Sequence, residues 1–233
     1  MYRRKAFTLI ELLVVIAIIA LLVALVVPSL AKAKQTAMRV VCGSKLRALA
    51  IAMSMYADTY GDTYPASTSY ARLDDDWVKW RSGTNPNDSV IAPFMGQRPV
   101  TNAMLTCPND TDATRRKSSG LFPFSYTVND TICNGSHRLL NPPEPRVLRR
   151  DIKNIAQKII IAEEAAETID DGAWAPWAGW NNLSIRHDKN AEALNDMTAG
   201  RGMVAFTDAH AEFITRKLAH DLKYYDPDEI PNR

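Results

Sequence analysis

The first residue with chemistry in its setting is an acid, Glu11, inside an apolar run. Arg3, Arg4 and Lys5 lead into Phe7-Thr8-Leu9-Ile10-Glu11, and no polar side chain interrupts Leu12 to Val27. A carboxylate in hydrocarbon costs at least a few kcal/mol on insertion scales, so it marks a function and calls for a partner charge. A second group gathers late in the chain: His187, Asp188, Asp208, His210 and Glu212. On a strand, His210 and Glu212 share a face, with Asp208 in the turn before them. Asp208, His210 and His187 are therefore candidate metal ligands. Carboxylates and carbonyls suit calcium, to which Asp170 and Asp171 can add, whereas imidazoles suit zinc. A hairpin turn also favours Asp for backbone reasons alone. Third come Cys42, Cys107 and Cys133, for which CxxC and CxxxH spacings are absent, so a structural zinc site is not expected. No GxSxG, HExxH, P-loop or dinucleotide fingerprint occurs either, so a non-enzymatic protein without a cofactor is expected, calcium being the one candidate ion.

The elements that carry these residues begin with the apolar run. Roughly twenty apolar residues let a helix cross a bilayer. An ordinary secretory signal has a shorter apolar core with a small-x-small cleavage site after it. Here Pro28-Ser29-Leu30-Ala31-Lys32 follows and can continue as helix, while the first Cys, at position 42, comes too late for a lipoprotein signal. The basic residues ahead of the span place Met1 to Ala6 in the cytoplasm by the positive-inside rule and the rest outside. That compartment is oxidising, so one disulfide is expected, with one Cys left over. Three pairings are open; Cys107–Cys133 is the preferred one, since both adjoin turn residues in one irregular region, and three free buried thiols are the alternative. A net charge of +2 gives no electrostatic case for nucleic acid as a partner.

The helix is expected to continue past the membrane. Cys42, Leu46, Leu49, Met53, Tyr56 and Tyr60 recur at intervals of four, three, four, three and four, one helical face. Gly61-Asp62, with Pro65 beyond, is a stop signal. A helix from about Phe7 to about Asp58 would be roughly 75–80 Å long, bent at Pro28. The expected organisation is a leader at 1–6, a membrane helix at 7–28, an amphipathic continuation at 29–63 and a globular domain at 64–233. Within that domain Lys158–Ala162, Met203–Thr207 and His210–Ile214 read as strands, the last two joined at Asp208-Ala209. Asn141–Pro145 reads as a stiff connector. Trp77, Trp80, Phe94 and Phe124 supply core, and Trp174, Trp177 and Trp180 form an aromatic loop that caps the core or, if exposed, stacks on a partner. The fold class expected is α+β: a long N-terminal helix packed on a small antiparallel sheet.

Lys5-Ala6-Phe7-Thr8-Leu9-Ile10-Glu11-Leu12-Leu13-Val14-Val15 resembles the class III signal of type IV pilins and type II secretion pseudopilins. The resemblance implies that prepilin peptidase cuts between Ala6 and Phe7 and methylates the new amine. Gly usually precedes the cut; here the residue is Ala6. It also implies that Glu11 pairs with the Phe7 amine of a neighbouring subunit, that the partners are other pilin or pseudopilin subunits, and that the chain sits as a single-pass protein of the bacterial inner membrane before joining a filament. Major pseudopilins carry a calcium site in a C-terminal loop. A narrower resemblance, to a pseudopilin-like group of planctomycete- and verrucomicrobium-type bacteria, rests on Cys42–Arg47, Met55–Asp58, Asp62–Pro65, Leu105–Pro108, Tyr126–Asn129 and Phe206–Phe213. That group often ends in a His, nine residues, then Asp-Gly and a further His; here about twenty residues separate His187 from Asp208, and Ala209 replaces the Gly.

Two function classes follow. One is a structural subunit of a type II secretion pseudopilus or type IV pilus-like filament, built through the N-terminal helix. The other is a surface binding module, or a weak metal-dependent enzyme, that uses the helix only for delivery.

Overall fold

A computed structural model of the chain describes residues 8–67, 74–81, 85–112, 120–133, 147–178, 181–188 and 199–228. Ala6 and Phe7, the Asn141–Pro145 connector and Trp180 lie outside them. The chain divides into two compact units, residues 1–38 and 39–233.

The first unit holds the N-terminal part of helix α1, which runs from Leu9 to Thr59 with Pro28 inside it. Thr8 caps it: its N–H and its hydroxyl donate to Glu11 Oε2 at 2.8 and 2.7 Å. Together they form a Thr-x-x-Glu capping box, a local pattern that satisfies orphan donors of the first turn. Every residue from Thr8 to Ala37 is exposed, including all the large apolar ones. In length and composition this stretch is sufficient to cross a membrane.

In the second unit α1 is one-sided. Cys42, Leu46, Leu49, Met53 and Tyr56 are buried at the spacing the sequence predicts, with Ala50, Ala52 and Ala57 allowing close approach. Tyr60 is more than half exposed and stacks on Tyr56, ring centroids 4.5 Å apart. The helix closes where Gly61 takes φ +73° and the Asp62 N–H reaches back to the Ala57 carbonyl at 2.9 Å. Glycine suits this left-handed cap because it has no Cβ to clash. Arg149 fixes the end, with Nε 3.1 Å from the Asp62 carboxylate and Nη1 donating to the Ser54 carbonyl at 3.3 Å.

The sheet has five strands, β1 (Tyr126–Asn129), β2 (Ile159–Glu163), β3 (Ala173–Trp174), β4 (Arg201–Phe206) and β5 (Ala211–Thr215), in the order β3-β1-β2-β4-β5. Neighbours are antiparallel except β1 and β3, which are parallel, so the sheet is mixed rather than wholly antiparallel. The connection 164–172 reverses the chain after β2 and passes β1, so β3 enters in β1's own direction. A strand of two residues has no periodicity to announce it in sequence.

Strands alternate faces. Tyr126, Val128, Ile161, Met203 and Ala205 join the buried face of α1 in one core. Ile159, Ala162, Val204, Phe206 and Ile214 pack on the opposite side with Trp174, Leu183, Ala219 and Tyr225. Trp174 is thus core, while Trp177 is 44% exposed.

At the β4–β5 turn Ala209 sits at φ +68°. The Asp208 carboxylate accepts from the His210 N–H at 3.1 Å, and the Phe206 N–H donates to the His210 carbonyl at 2.9 Å. A Cβ in the left-handed region costs on the order of 1 kcal/mol. Ala209→Gly is therefore expected to stabilise the protein by about 0.5–1 kcal/mol, read as a higher urea midpoint at unchanged slope.

Candidate functional site

The densest chemistry lies between α1 and the sheet. Glu163 ends β2 opposite Tyr126 of β1, which turns both side chains toward α1. The loop before β1 is pinned over them. Lys45 of α1 donates through Nζ to the carbonyls of Ala103 and Thr106 at 2.6 and 2.8 Å. The Cys107 N–H donates to Ser125 Oγ at 2.9 Å, and that hydroxyl donates to Asp110 at 2.6 Å. These bonds bring Cys107 Sγ within 2.7 Å of Cys42 Sγ on the helix.

The fourth side arrives from the segment after β3. Ser184 N–H donates to the Glu163 carbonyl at 2.7 Å, which sets Arg186 and His187 beside Glu163. Gly202 of β4 makes room, since a Cβ there would fall 2.1 Å from the Ser184 carbonyl oxygen. Arg186 Nη1 donates to Glu163 Oε1 at 2.8 Å. His187 Nε2 lies 3.2 Å from Cys107 Sγ and 3.3 Å from Glu163 Oε2. Glu163 Oε2 is buried and accepts no hydrogen bond among the described residues. One donor atom each from Cys42, Cys107, Glu163 and His187 fits within 4.8 Å of the others, and all four residues are buried.

Electrostatics follow from this packing. Burial alone would raise Glu163, but the Arg186 charge and the His187 contact outweigh it and hold its carboxyl below the ordinary value. Burial pulls His187 down, yet its contacts with Cys107 and the Glu163 carboxylate lift it to about 9. The Cys42 contact and burial push the Cys107 thiol up. This is a polar cluster whose groups depend on one another's charge.

The site residues expected from sequence are redistributed. His187 joins the buried cluster and not Asp208 and His210. Those two contact each other at 2.5 Å in the exposed β4–β5 turn, where the His210 ring stacks on Phe206. Nor does the fold present the Cys107–Cys133 pair: the neighbour of Cys107 is Cys42, because α1 lies directly over the loop. Cys133 is buried at the end of the one-turn helix Asp130–Cys133, and all three cysteines are free. Cys42 was among the open pairings for Cys107, whereas Glu163 was not expected as a partner. The signal for Glu163 was an acid closing an otherwise apolar strand.

Of the acids considered for calcium, Asp171 is buried and accepts from the Ala173 N–H at 2.8 Å. Burial raises its carboxyl to about 7. The folded state therefore holds a proton that the unfolded chain releases near pH 4, and stability falls as pH rises from about 4 through 7. Asp171→Asn keeps the acceptor oxygen without the charge. It is expected to flatten that slope and to stabilise the protein at pH 8 by at least about 1 kcal/mol, read from thermal melts at pH 5 and pH 8.

Residues 1–27 match the prokaryotic N-terminal methylation motif. No curated protein and no solved structure matches the chain.

Proposed function

Because the chain carries a prepilin-type N-terminus on a long apolar helix, we propose that it is a pilin-like structural subunit. It is cut before Phe7, methylated on the new amine and assembled through α1 into a type II secretion pseudopilus or type IV pilus-like filament. The leader is cytoplasmic and the globular unit extracytoplasmic, as the basic residues before the span direct. The observation that carries this reading is the exposure of every residue from Thr8 to Ala37, a far larger apolar surface than a monomer leaves in water. A bilayer covers it before assembly and neighbouring α1 helices cover it afterwards.

Glu11 has two successive tasks in this scheme. In the monomer its Oε2 is satisfied by Thr8 in the capping box. In the filament the same carboxylate meets the Phe7 amine of another subunit, and the pairing sets register more than it adds net energy. The chain performs no catalytic step; its work is mechanical.

The test is the intact mass and N-terminal sequence of the protein from its native membranes. A chain beginning at methylated Phe7 is expected, and one that still begins at Met1 would instead make α1 a permanent anchor. Photocrosslinking from Ile16 is expected to yield α1–α1 adducts that fall several-fold in Glu11→Ala. Unchanged adducts would remove the pairing role of Glu11.

A further inference from the structure

We propose that Cys42 Sγ, Cys107 Sγ, Glu163 Oε2 and His187 Nε2 hold a structural zinc ion that fastens the inner half of α1 to the sheet. The site stands apart from the N-terminal motif and does not depend on whether the chain assembles.

Geometry supports it first. Zinc bonds of about 2.0–2.3 Å place tetrahedral ligand atoms roughly 3.3–3.8 Å apart. His187 Nε2 already lies 3.2 Å from Cys107 Sγ and 3.3 Å from Glu163 Oε2, and all four atoms fall within 4.8 Å of one another. The Cys42–Cys107 separation, 2.7 Å, must open by about 1 Å. The donor set is selective: two sulfurs, one imidazole and one carboxylate oxygen suit zinc, whereas calcium takes six to eight oxygens.

The surroundings are those of an ion site. Glu163 Oε2 is a buried carboxylate oxygen that faces His187 Nε2 at 3.3 Å without an aligned hydrogen bond among the described residues, while Arg186 occupies Oε1 at 2.8 Å. That leaves a single oxygen aimed at the sulfurs and the ring. The Asn109 N–H donates to Cys107 Sγ at 3.4 Å, a contact that favours thiolate. Asn109 Nδ2 lies 3.4 Å from His187 Nδ1, and turning the amide over places Oδ1 there instead. With its oxygen toward the ring it accepts from Nδ1–H and leaves the Nε2 lone pair to the ion. The dication and the Arg186 guanidinium offset the charge of two thiolates and the Glu163 carboxylate, while the buried Asp110 carboxylate, 3.6 Å from the same guanidinium, adds one further negative charge. Without the ion, the same groups depend on neutral thiols packed against a buried ion pair.

The site is closed. A cleft of about 240 Å³ reaches Asn109 and Arg186, but none of the four ligand side chains lines it. Four protein ligands and no open position describe a structural centre and not a hydrolytic one.

The experiment uses the full chain purified in detergent without chelator. Elemental analysis is expected to find zinc at one ion per chain. Exchange with cobalt(II) is expected to give thiolate charge-transfer and tetrahedral visible bands. Cys42→Ser and His187→Gln are expected to lose the zinc, and Cys133→Ser, which removes a buried thiol outside the cluster, to retain it. Far-UV circular dichroism identifies any variant that fails to fold, and for such a variant the cobalt spectrum of the wild-type chain decides alone. Zinc-free protein with Cys42 and Cys107 in one linked peptide and a mass lower by two hydrogens would replace the ion with a disulfide and overturn the proposal. Zinc-free protein with both thiols open to alkylation, or zinc retained in Cys42→Ser, would overturn it equally.

Discussion

The inner half of α1 is the constraint on which the globular unit rests. Its buried face from Cys42 to Ala57 forms the roof over one side of a five-stranded sheet, and the large core cluster is built around it. Small side chains at Ala50, Ala52 and Ala57 let the backbone approach, while Leu46, Leu49 and Met53 fill the space between. Burying a Leu or Met side chain contributes roughly 1.5–3 kcal/mol, so this face gathers a large share of the stabilising surface on one element. The sheet's other side needs its own cover. The C-terminal turns supply it with Ala219 and Tyr225, and Trp174 and Leu183 fill the remainder.

Putting a carboxylate under such a roof has consequences. Glu163 is fully buried, and a lone charge there would cost several kcal/mol. Arg186 and His187 answer it, and their arrival fixes the path of the segment after β3. That path requires Gly202, because any side chain on β4 at this point would strike the Ser184 carbonyl. The cluster therefore links α1, the loop at Cys107, β2 and the 184–188 segment. It is a cross-brace of polar contacts inside an otherwise apolar interior.

Much of the architecture was legible from periodicity. The helix face at Cys42–Tyr56 follows from intervals of three and four, and its end follows from Gly61-Asp62. The strands at Ile159–Glu163, Arg201–Phe206 and Ala211–Thr215 overlap the segments read from β-branched and alternating residues. β1 and β3 escaped, since four and two residues are too few to show a period. The Thr8–Glu11 capping box is equally local, but an acid in an apolar run points first to a partner charge and hides its bond to the neighbouring Thr8.

The buried cluster shows the limit of sequence reading. Its four residues lie at positions 42, 107, 163 and 187, so no spacing rule unites them, and pairing by local context pointed to Cys133 instead. By itself the sequence determined the segments, the apolar run with its methylation motif and the one-sided face of α1, because these are set by the order of neighbouring side chains along one element. Tertiary structure alone decided which cysteine meets which, where His187 goes and that β3 runs parallel to β1. Those outcomes depend on how distant elements cross, and crossing is settled by packing and by the neutralisation of buried charge.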